Sequence, residues 1–484
     1  MYLGIDLGTS SLKLLLLSEA HQTVACAEVA LTLQHPQPHW SEQHPADWWT
    51  ALVQAVAQLR DQQAQAWRKV RAVGLSGQMH GAVLLDAHGQ VLRPAILWND
   101  GRSAAQCQAL EQAQPRLRQI TGNLAMPGLT APKLLWLREH EPEVFARTAR
   151  VLLPKDWLRL CLSGEAISDM SDASGTLWLD VARRRWDESL LAACGLGLAH
   201  MPRLVEGSDL CAQIKPSLAQ AWGWQHPVWV AGGAGDNAAT AVGVGALADG
   251  QGFVSLGTSG VVFRVSAHFA PAPERAVHTF AHAVPGRWHQ MAVMLSAAQA
   301  LAWLARWVGQ PEGQLSALVE RLPLAQRARA PLFLPYLQGE RTPHNRPQLR
   351  ASWSGLHSSH GLADLTYAVM EGVAFGLLDG WRALDGPARP QAVFALVGGG
   401  AQSQTWAQLL ADVLQCPLRR SGDAPVAAAL GAARLALFAE QGAERALPEV
   451  AAHRLFEPGP LCSAVLMERY ARFQRVFVGL HDGA

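Results

Sequence analysis

Two short stretches of the chain repeat the same group of small residues. They read DLGTS at residues 6–10 and SLGTS at residues 255–259. Glycine at such a turn lets backbone N–H groups approach an anion closely, and the hydroxyl groups add further donors. A single Gly-Thr-Ser turn is common in ordinary sheets. Two such turns, one near the start of each half of the chain, indicate that both bind the same polyphosphate. We therefore predict that the phosphates of a nucleotide bind Gly8, Thr9, Ser10, Gly257, Thr258 and Ser259.

Only the first of these two turns has an acid in front of it. Asp6 ends an apolar run beside the predicted phosphate loop, where a carboxylate can hold Mg²⁺ through water. Asp6 also fits a simpler role, as a residue at the end of a strand that caps the turn. Because one nucleotide needs one metal site, Ser255 in the second turn is consistent with a single metal site at Asp6.

A second candidate acid, Asp236, follows the glycine-rich loop at residues 231–235. Phosphoryl transfer to a hydroxyl group needs a carboxylate that orients this group and accepts its proton. The residue types also fit the N-cap of a helix, because a helix of small residues is predicted from 238 to 247. Both interpretations place Asp236 where a short strand, residues 228–230, gives way to a helix.

The elements that must position these residues alternate between strands and helices. Apolar runs at residues 1–8, 12–17 and 23–32, joined by short turns, predict an antiparallel meander. Helical spacing follows at residues 48–59, and residues 70–75 predict a buried strand that ends at the sequence GQMH. The alternation continues to the end of the chain, which predicts an α/β protein.

Length and the internal repeat predict two domains. A chain of 484 residues is too long for one hydrophobic core. The polar stretch at residues 248–251 separates the predicted helix from the second glycine turn. We therefore predict domains at residues 1–247 and 248–484, which arose from duplication of one nucleotide-binding unit.

Composition excludes several classes of protein. With 49% hydrophobic and 16% charged residues the chain is predicted to be compact. Its net charge of +1 gives no electrostatic case for nucleic acid or an anionic membrane as the main partner. Seven cysteines without a CxxC pair argue against a disulfide framework or a zinc site. With no signal-peptide pattern at its start, the chain is predicted to be cytoplasmic.

Motifs along nearly the whole chain resemble the FGGY family of carbohydrate kinases. In order they are GIDLGTS (4–10), GLTAPKLLWLREH (128–140), GGAGDNAATAVGVG (232–245), SLGTSG (255–260), LPYLQGERTPHNRP (334–347), SGLHSSHGLADLTYAVME (354–371) and LVGGGAQSQTW (396–406). The resemblance implies two actin-like, ribonuclease-H-like domains with mixed β-sheets flanked by helices, and a cleft between the domains.

The resemblance also implies roles for residues of the first domain. GQMHG at 77–81 and ILWNDGR at 96–102 are similar to the xylulokinases within that family. Asp236 would then be the catalytic base, and the ketose would contact Met79, His80, Gln78, Trp98 and Asn237. By residue type alone, His80 also fits a hydrogen-bonded loop histidine and Met79 a core side chain. Asp100 and Arg102 fit either a wall of the same site or a loop whose charges pair with each other.

In the second domain, the family places a glycine run near the nucleotide. This run follows a predicted strand and precedes a helix, whose N-terminus favours an anion. The implied nucleotide contacts are Gly399, Gly400, Gln402 and Ser403. The sequence does not show whether Glu340 and Arg341, also in a family motif, do more than pair with each other.

Taken together, the resemblance implies ATP-dependent phosphorylation of D-xylulose at its 5-hydroxyl, with Mg²⁺ near Asp6. Residues 1–247 would hold the sugar and both acids, and residues 248–484 most of the ATP site. A homodimer is an assembly that the resemblance allows. Three alternatives stay open: a family member acting on ribulose, glycerol or gluconate, an actin-like chaperone, and a sugar sensor with an inactive kinase fold. The chaperones carry a long peptide-binding region not found in this sequence, and the two acids argue against the sensor.

Overall fold

Two mixed seven-stranded sheets flanked by helices make up most of the fold, as the sequence predicts. The computed structural model describes residues 1–385, 392–442, 447 and 454–481. The predicted end of the second domain, residues 482–484, lies outside these described residues. Among the described residues, no helix combines the length and the apolar character needed to cross a bilayer.

The strands are short, as is usual for an α/β protein. In chain order they are β1 (Tyr2–Leu7), β2 (Ser11–Leu17), β3 (Thr23–Ala30), β4 (Glu42–Gln43), β5 (Ala72–Gly77), β6 (Val83–Leu85), β7 (Ala95–Ile96), β8 (Arg150–Leu152), β9 (Ile167–Asp169), β10 (Leu179–Asp180), β11 (Arg185–Trp186), β12 (Arg203–Val205), β13 (Leu210–Gln213), β14 (Trp229–Ala231), β15 (Ala234–Gly235), β16 (Gly252–Leu256), β17 (Gly260–Ser266), β18 (His278–Ala281), β19 (Trp288–Met294), β20 (Leu332–Leu334), β21 (Ser352–Ser354), β22 (Phe394–Val397), β23 (Leu418–Arg420) and β24 (Arg454–Phe456).

The helices are more unequal in length than the strands. They are α1 (Pro45–Gln62), α2 (Ala64–Trp67), α3 (Ala104–Ala113), α4 (Leu117–Thr121), α5 (Thr130–His140), α6 (Pro142–Arg147), α7 (Pro154–Ser163), α8 (Met170–Ala173), α9 (Glu188–Ala193), α10 (Pro216–Ala221), α11 (Asp236–Val244), α12 (Ala298–Val308), α13 (Glu312–Glu320), α14 (Leu324–Arg327), α15 (Leu362–Ala383), α16 (Gln404–Leu414), α17 (Ala427–Gln441) and α18 (Pro460–His481).

The first sheet has the order β13-β14-β5-β1-β2-β3, with β15 continuing beside β5. Its β1, β2 and β3 form the predicted antiparallel meander, and β5 runs parallel to β1. Side chains of β2 alternate between two cores, because a strand has a period of two residues. Leu12, Leu14 and Leu16 pack with residues of α1, whereas Leu15 and Leu17 pack with residues of α17. The sheet is therefore covered by helices on both faces.

The second sheet repeats the arrangement around β1. Its order is β18-β19-β17-β16-β22-β23-β24. Strand β16 pairs antiparallel with β17 and parallel with β22, as β1 pairs with β2 and β5. Ser255 thus lies opposite Val397, in the position that Asp6 occupies opposite Ser76 in the first sheet. Residues of α12, α15 and α16 supply the large core on one side of this sheet.

Two helices of small residues, α11 and α17, lie between the two sheets. Residues of both helices share a core with the first sheet, and other residues of α11 share one with the second sheet. The helices cross at glycines: a Cβ added at Gly243 would lie 1.9 Å from the carbonyl oxygen of Ala427, and one at Gly431 would lie 1.8 Å from that of Ala239. Only glycine allows this approach. The helix that begins at Asp236 is therefore fixed by a helix from the other half of the chain.

Candidate functional site

Three parallel strands of the first sheet end together and bring three sequence motifs to one edge. Leu7 of β1 lies opposite Gly77 of β5, and Gly77 lies opposite Gly235 of β15. The residues that follow these strands are Gly8, Gln78 and Asp236. Ligands of open α/β sheets bind at this carboxyl edge. The predicted phosphate turn, ketose loop and catalytic acid therefore share one side of the sheet.

Asp236 is the first residue of α11 rather than its N-cap. The helix begins two residues earlier than predicted, and Gly235 occupies the N-cap position. The carboxylate Oδ1 accepts hydrogen bonds from the backbone N–H of Asn237 at 2.8 Å and from its Nδ2 at 3.0 Å. The N-cap interpretation of Asp236 is therefore wrong. Asn237 orients the carboxylate, so its own amide N–H groups are partly used.

The environment of Asp236 suits a proton acceptor. Burial, reinforced by the negative charge of Asp6, raises the pKa of Asp236 to about 7. Burial also raises the pKa of Asp6, against a hydrogen bond from Ser76 that lowers it. A general base works best when its pKa lies near the working pH. The charge of Asp6 thus acts on the half-buried carboxyl group of Asp236 at the strand ends.

The oxygen ligands at this edge fit Mg²⁺. Asp6 accepts a hydrogen bond from the Ser76 hydroxyl at 3.0 Å through Oδ1, and no other described residue bonds its Oδ2. Mg²⁺ prefers carboxylate oxygens and keeps several of its waters. A cation there would offset the repulsion between the charges of Asp6 and Asp236. Asp6 would hold it, in keeping with the predicted metal site.

The first phosphate turn is held by side chains that the sequence assigns to the sugar. The Thr9 hydroxyl donates to Gln78 Oε1 at 3.0 Å and accepts from Trp98 Nε1 at 2.9 Å. Gln78 Nε2 in turn donates to Gln43 Oε1 at 2.9 Å. Gln78 is buried, whereas 38% of the Trp98 surface is exposed. The structure thus gives Gln78 a role in fixing the turn, and leaves the indole surface of Trp98 open.

The backbone N–H groups of this turn can donate hydrogen bonds, although the Thr9 hydroxyl is already hydrogen-bonded. Among the described residues, the N–H groups of Thr9 and Ser10 have no hydrogen-bond acceptor, and the same holds for Thr258 and Ser259. Such groups can bind phosphate oxygens. The part of each turn that is suited to phosphate is therefore the peptide backbone. Phosphate binding at both turns stays a prediction.

The ketose loop holds His80 in an uncommon conformation. Its φ of +70° lies in the left-handed region that few residues other than glycine adopt. Lys133 Nζ and the Thr130 hydroxyl donate to the His80 carbonyl at 2.8 and 3.2 Å. Nδ1 lies 3.0 Å from the carbonyl oxygen of Gly175. Because a carbonyl only accepts, Nδ1 carries the proton and Nε2 is an acceptor.

Burial favours the uncharged forms of His80 and of Lys133, the lysine of α5 that bonds the His80 carbonyl. Burial, followed by the charge of Lys133, lowers the pKa of His80 to about 3. Burial also lowers the pKa of Lys133 to about 7. Met79 is buried in an apolar cluster with α11 and the second sheet, next to Gly235. His80 is thus a neutral hydrogen-bond acceptor, and Met79 joins the loop to the core between the sheets.

Asp100 and Arg102 pair with each other. Arg102 donates to the two carboxylate oxygens of Asp100 at 2.9 and 2.7 Å, and it also bonds Glu42 at 2.7 Å. Its guanidinium lies 3.6 Å from the ring centroid of Trp40. Asp100 further accepts the backbone N–H of Ser41. Of the two interpretations left open by the sequence, the structure shows the paired loop.

The glycine run of the second half lies against the second phosphate turn. A Cβ on Gly398 would lie 2.6 Å from the carbonyl of Leu256, and one on Gly400 would lie 2.7 Å from its side chain. Gly399 and Gln402 are exposed in a short 3-10 helix at 399–402. The Ser403 hydroxyl accepts the backbone N–H of Trp406 and caps α16. The glycine run therefore lies against the turn at Gly257, whereas the Ser403 hydroxyl is used to cap α16.

A fully buried ionic cluster behind the Asp236 loop was missed in the sequence. Lys155 Nζ lies 2.6, 2.6 and 3.0 Å from carboxylate oxygens of Asp156, Asp169 and Asp172. These three acids have the spacing of a metal site, but the lysine ammonium already stands among them. The only signal was the acid-rich stretch SDMSD at 168–172, whose lysine partner is distant in sequence.

This cluster supports the strand that ends before Asp236. The Ser171 hydroxyl accepts the backbone N–H of Gly235 at 3.1 Å and donates to Asp169 at 2.5 Å. Arg159 donates to the carbonyl of Gly232, in the same loop. Both ends of the loop at 232–235 are thus tied to buried charges, which fixes the direction in which Asp236 leaves it.

Known proteins match the chain from end to end. The N-terminal domain of the FGGY family of carbohydrate kinases matches residues 1–243, and its C-terminal domain matches residues 252–440. The xylulose kinase of Escherichia coli strain K12 is 50% identical over 478 residues, which cover 98% of this chain and 96% of the relative. That of Klebsiella pneumoniae is 52% identical over 464 residues, 94% of each chain.

A solved structure agrees with both the fold and the family. The crystal structure of the "xyloylose kinase" of Brucella ovis superposes with a TM-score of 0.96 at 46% identity, and it covers 100% of both chains. The family motifs of this chain lie at the edge of the sheet described above. The chain belongs to the FGGY family of carbohydrate kinases.

Proposed function

We propose that this protein is an ATP-dependent xylulose kinase that phosphorylates D-xylulose at its 5-hydroxyl. The sugar and the reaction come from the relatives, which are xylulose kinases at 50 and 52% identity over nearly the whole chain. The observation that carries the chemistry is Asp236, a carboxylate with a pKa of about 7 at the edge that also holds Asp6 and the first glycine turn.

In the proposed reaction, Asp236 accepts the proton of the 5-hydroxyl as the O5–Pγ bond forms. The bond between Pγ and the bridging oxygen breaks, and ADP leaves with that electron pair. Positioning and electrostatic stabilisation dominate such a transfer. Bound Mg²⁺, held through Asp6, supplies positive charge for the phosphoryl oxygens. The products are D-xylulose 5-phosphate and ADP.

The other predicted contacts enter the proposal with the tasks that their geometry supports. His80 offers Nε2 as an acceptor for a sugar hydroxyl, and the exposed face of Trp98 offers apolar surface. Met79 is buried in the core beside this loop, so its contact with the sugar stays a prediction. Asn237 orients the base. Gln78 acts through Thr9 rather than on the sugar. The contacts of ATP with Gly399, Gly400, Gln402 and Ser403 stay predictions, as does the domain boundary at 247/248.

We also propose a cytoplasmic location. Where the structure describes their side chains, the cysteines are free thiols: Cys26, Cys107, Cys161, Cys194, Cys211 and Cys416. Burial raises the pKa of several of them, including Cys194 to about 11, so they are poor nucleophiles for disulfide exchange. The oligomeric state stays a prediction, with a homodimer as the assembly that the resemblance allows.

A coupled assay of ADP release tests the proposed function. The panel contains D-xylulose, D-ribulose, glycerol and gluconate, each with Mg-ATP, and a blank without sugar. The highest kcat/KM is expected with D-xylulose, and product analysis is expected to find the phosphate on O5. A higher kcat/KM with another member of the panel would replace xylulose with that substrate. ATP hydrolysis that is indifferent to every sugar would overturn the proposal.

A further inference from the structure

Arg341 is a cation of the second half of the chain that forms no ion pair with any described acid. It lies in the motif GERTP, after β20. Its guanidinium Nη1 bonds His278 Nε2 at 3.2 Å. Within the part of the chain that the structure describes, no carboxylate lies within salt-bridge distance of it. Burial lowers the pKa of Arg341, which shows that the charge is poorly solvated.

The adjacent acid does not serve as its counterion. Glu340 Oε1 accepts the backbone N–H groups of Leu295 and Arg341, both at 2.8 Å. Burial raises the pKa of Glu340 to about 8, which disfavours its charged form at neutral pH. The guanidinium has five N–H donors, and His278 takes one of them. The remaining donors of Arg341 are therefore available for an acceptor supplied from outside the chain.

A residue of the first half holds the imidazole that Arg341 contacts. Because Arg341 can only donate, Nε2 of His278 is an acceptor and its Nδ1 carries the proton. Nδ1 donates to Asn123 Oδ1 at 3.0 Å. Asn123 also donates to the Thr279 carbonyl at 3.0 Å. The position of Arg341 is thus defined by a chain of hydrogen bonds that joins the two halves.

The same contacts place Arg341 beside His80 of the ketose loop. The ring of Phe280 contacts the imidazoles of both His278 and His80: its centroid is 5.4 Å from that of His278 and 6.0 Å from that of His80. After burial and Lys133, the charge of Arg341 is a further cause of the low pKa of His80. The guanidinium of Arg341 therefore lies in the neighbourhood of the His80 imidazole.

We infer that Arg341 donates hydrogen bonds to an oxygen of the ketose and is a substrate-binding residue supplied by the second half of the chain. The inference rests on the proposed function and deepens it. A hydroxyl group both donates and accepts, so it pairs with the acceptor Nε2 of His80 and the donors of Arg341 together. A sugar oxygen also supplies an acceptor for the N–H donors of the half-buried guanidinium that His278 does not use. The sugar site is then complete only when both halves contribute.

The test compares Arg341→Met, Arg341→Lys and Arg341→Gln with Arg306→Met, a control at an exposed arginine on α12. For each protein, KM for D-xylulose, KM for ATP, kcat, sugar-free ATPase activity and Tm are measured. Arg341→Met is expected to raise the KM for xylulose about 10-fold or more, because it removes charged donors. Its KM for ATP and its sugar-free ATPase activity are expected to stay within about 2-fold. Arg341→Lys, which keeps the charge, is expected to fall between wild type and Arg341→Met.

These measurements distinguish a role of Arg341 in sugar binding from a role in the stability of the fold. An unchanged KM for xylulose in the Arg341 variants overturns the inference. So does an equal rise of both KM values together with a lower Tm, since that is the result of a structural role. If Arg341→Met does not fold, the Lys and Gln variants decide by the same criteria. If wild type phosphorylates another sugar of the panel, the proposed substrate fails and the Arg341 variants are assayed with that sugar.

Discussion

The carboxylates of Asp6 and Asp236 are close enough for the charge of one to raise the pKa of the other. They come from different motifs, at the ends of β1 and β15, and they are brought together because both strands lie beside β5. In the proposed reaction this pair supplies the chemistry: Asp6 would hold the metal, and Asp236 would take the proton of the acceptor hydroxyl.

Removing the charge of Asp236 is expected to stabilise the metal-free protein at neutral and higher pH. The unfolded carboxyl group ionises at its ordinary pKa of 3.8, whereas burial holds the proton in the folded state to about pH 7. Ionisation therefore costs stability, and the cost grows from about pH 4 to pH 7 and is constant above that. Thermal unfolding in EDTA should give Asp236→Asn a higher Tm than wild type at pH 8, and a smaller advantage at pH 5.

The exposed Asp61 provides the control for this prediction, as Asp61→Asn makes the same chemical change outside the site. Its Tm is expected to follow that of wild type at both pH values. A lower Tm for Asp236→Asn than for wild type at pH 8 would show that the carboxylate stabilises the fold instead.

His80→Asn is expected to weaken sugar binding while it preserves the fold. Asparagine tolerates the left-handed backbone conformation of His80 better than most residues. Its shorter side chain does not reproduce the acceptor at Nε2. We expect the KM for xylulose to rise roughly 10-fold and that for ATP to stay unchanged. Steady-state kinetics decide: an unchanged sugar KM would remove His80 from the site.

Gly175→Ala is expected to disturb the sugar site through His80. A Cβ at this position would lie 2.2 Å from His80 Nδ1 and 3.2 Å from Met79 Cε. The imidazole must then move, so we expect a rise in the KM for xylulose of roughly 10-fold at a near-normal KM for ATP. Gly313→Ala is the matched control, because a Cβ there meets no atom within 4 Å. Equal kinetics for the two variants would contradict the prediction.

Gly431→Ala is expected to separate the two helices between the sheets. The new Cβ would lie 1.8 Å from the carbonyl oxygen of Ala239 in α11. Overpacking of this kind typically costs about 1–3 kcal/mol, and a contact with rigid backbone lies at the upper end. Because α11 begins at Asp236, kcat should fall together with the free energy of unfolding, measured by urea denaturation. A wild-type free energy of unfolding for Gly431→Ala would contradict the prediction, since it would show that α11 and α17 move apart at little cost.

Much of the fold could be predicted from local patterns. The leucines of β2 alternate between two cores, so their period of two is visible in the sequence. The turn residues after β1 and β16 mark the repeated hairpins. The position of α17 could not be predicted, because it lies between β23 and β24 of the second sheet in sequence yet packs against Gly4 and Gly74 of the first. Only the tertiary fit of small residues determines that arrangement.

The sequence predicted the positions of site residues that follow strand ends. It did not predict which polar side chains hydrogen-bond to each other instead of facing a ligand. Asp6, Asp236 and His80 lie at the predicted edge because parallel strands end together. Gln78, by contrast, uses its amide on Thr9 and Gln43. Its residue type is equally suited to a sugar hydroxyl, so the sequence could not distinguish the two. The Lys155 cluster was missed since its members are brought together only by folding.

The most direct test of the account is the kcat of Asp236→Asn with D-xylulose and Mg-ATP, beside wild type and Asp61→Asn. Circular dichroism and Tm establish that each protein is folded, and calorimetric binding of xylulose shows that the sugar site is intact. The account predicts a folded, sugar-binding variant whose kcat falls at least ~10²-fold, while Asp61→Asn keeps wild-type turnover. Near-normal turnover by folded Asp236→Asn would contradict the assignment of Asp236 as the base.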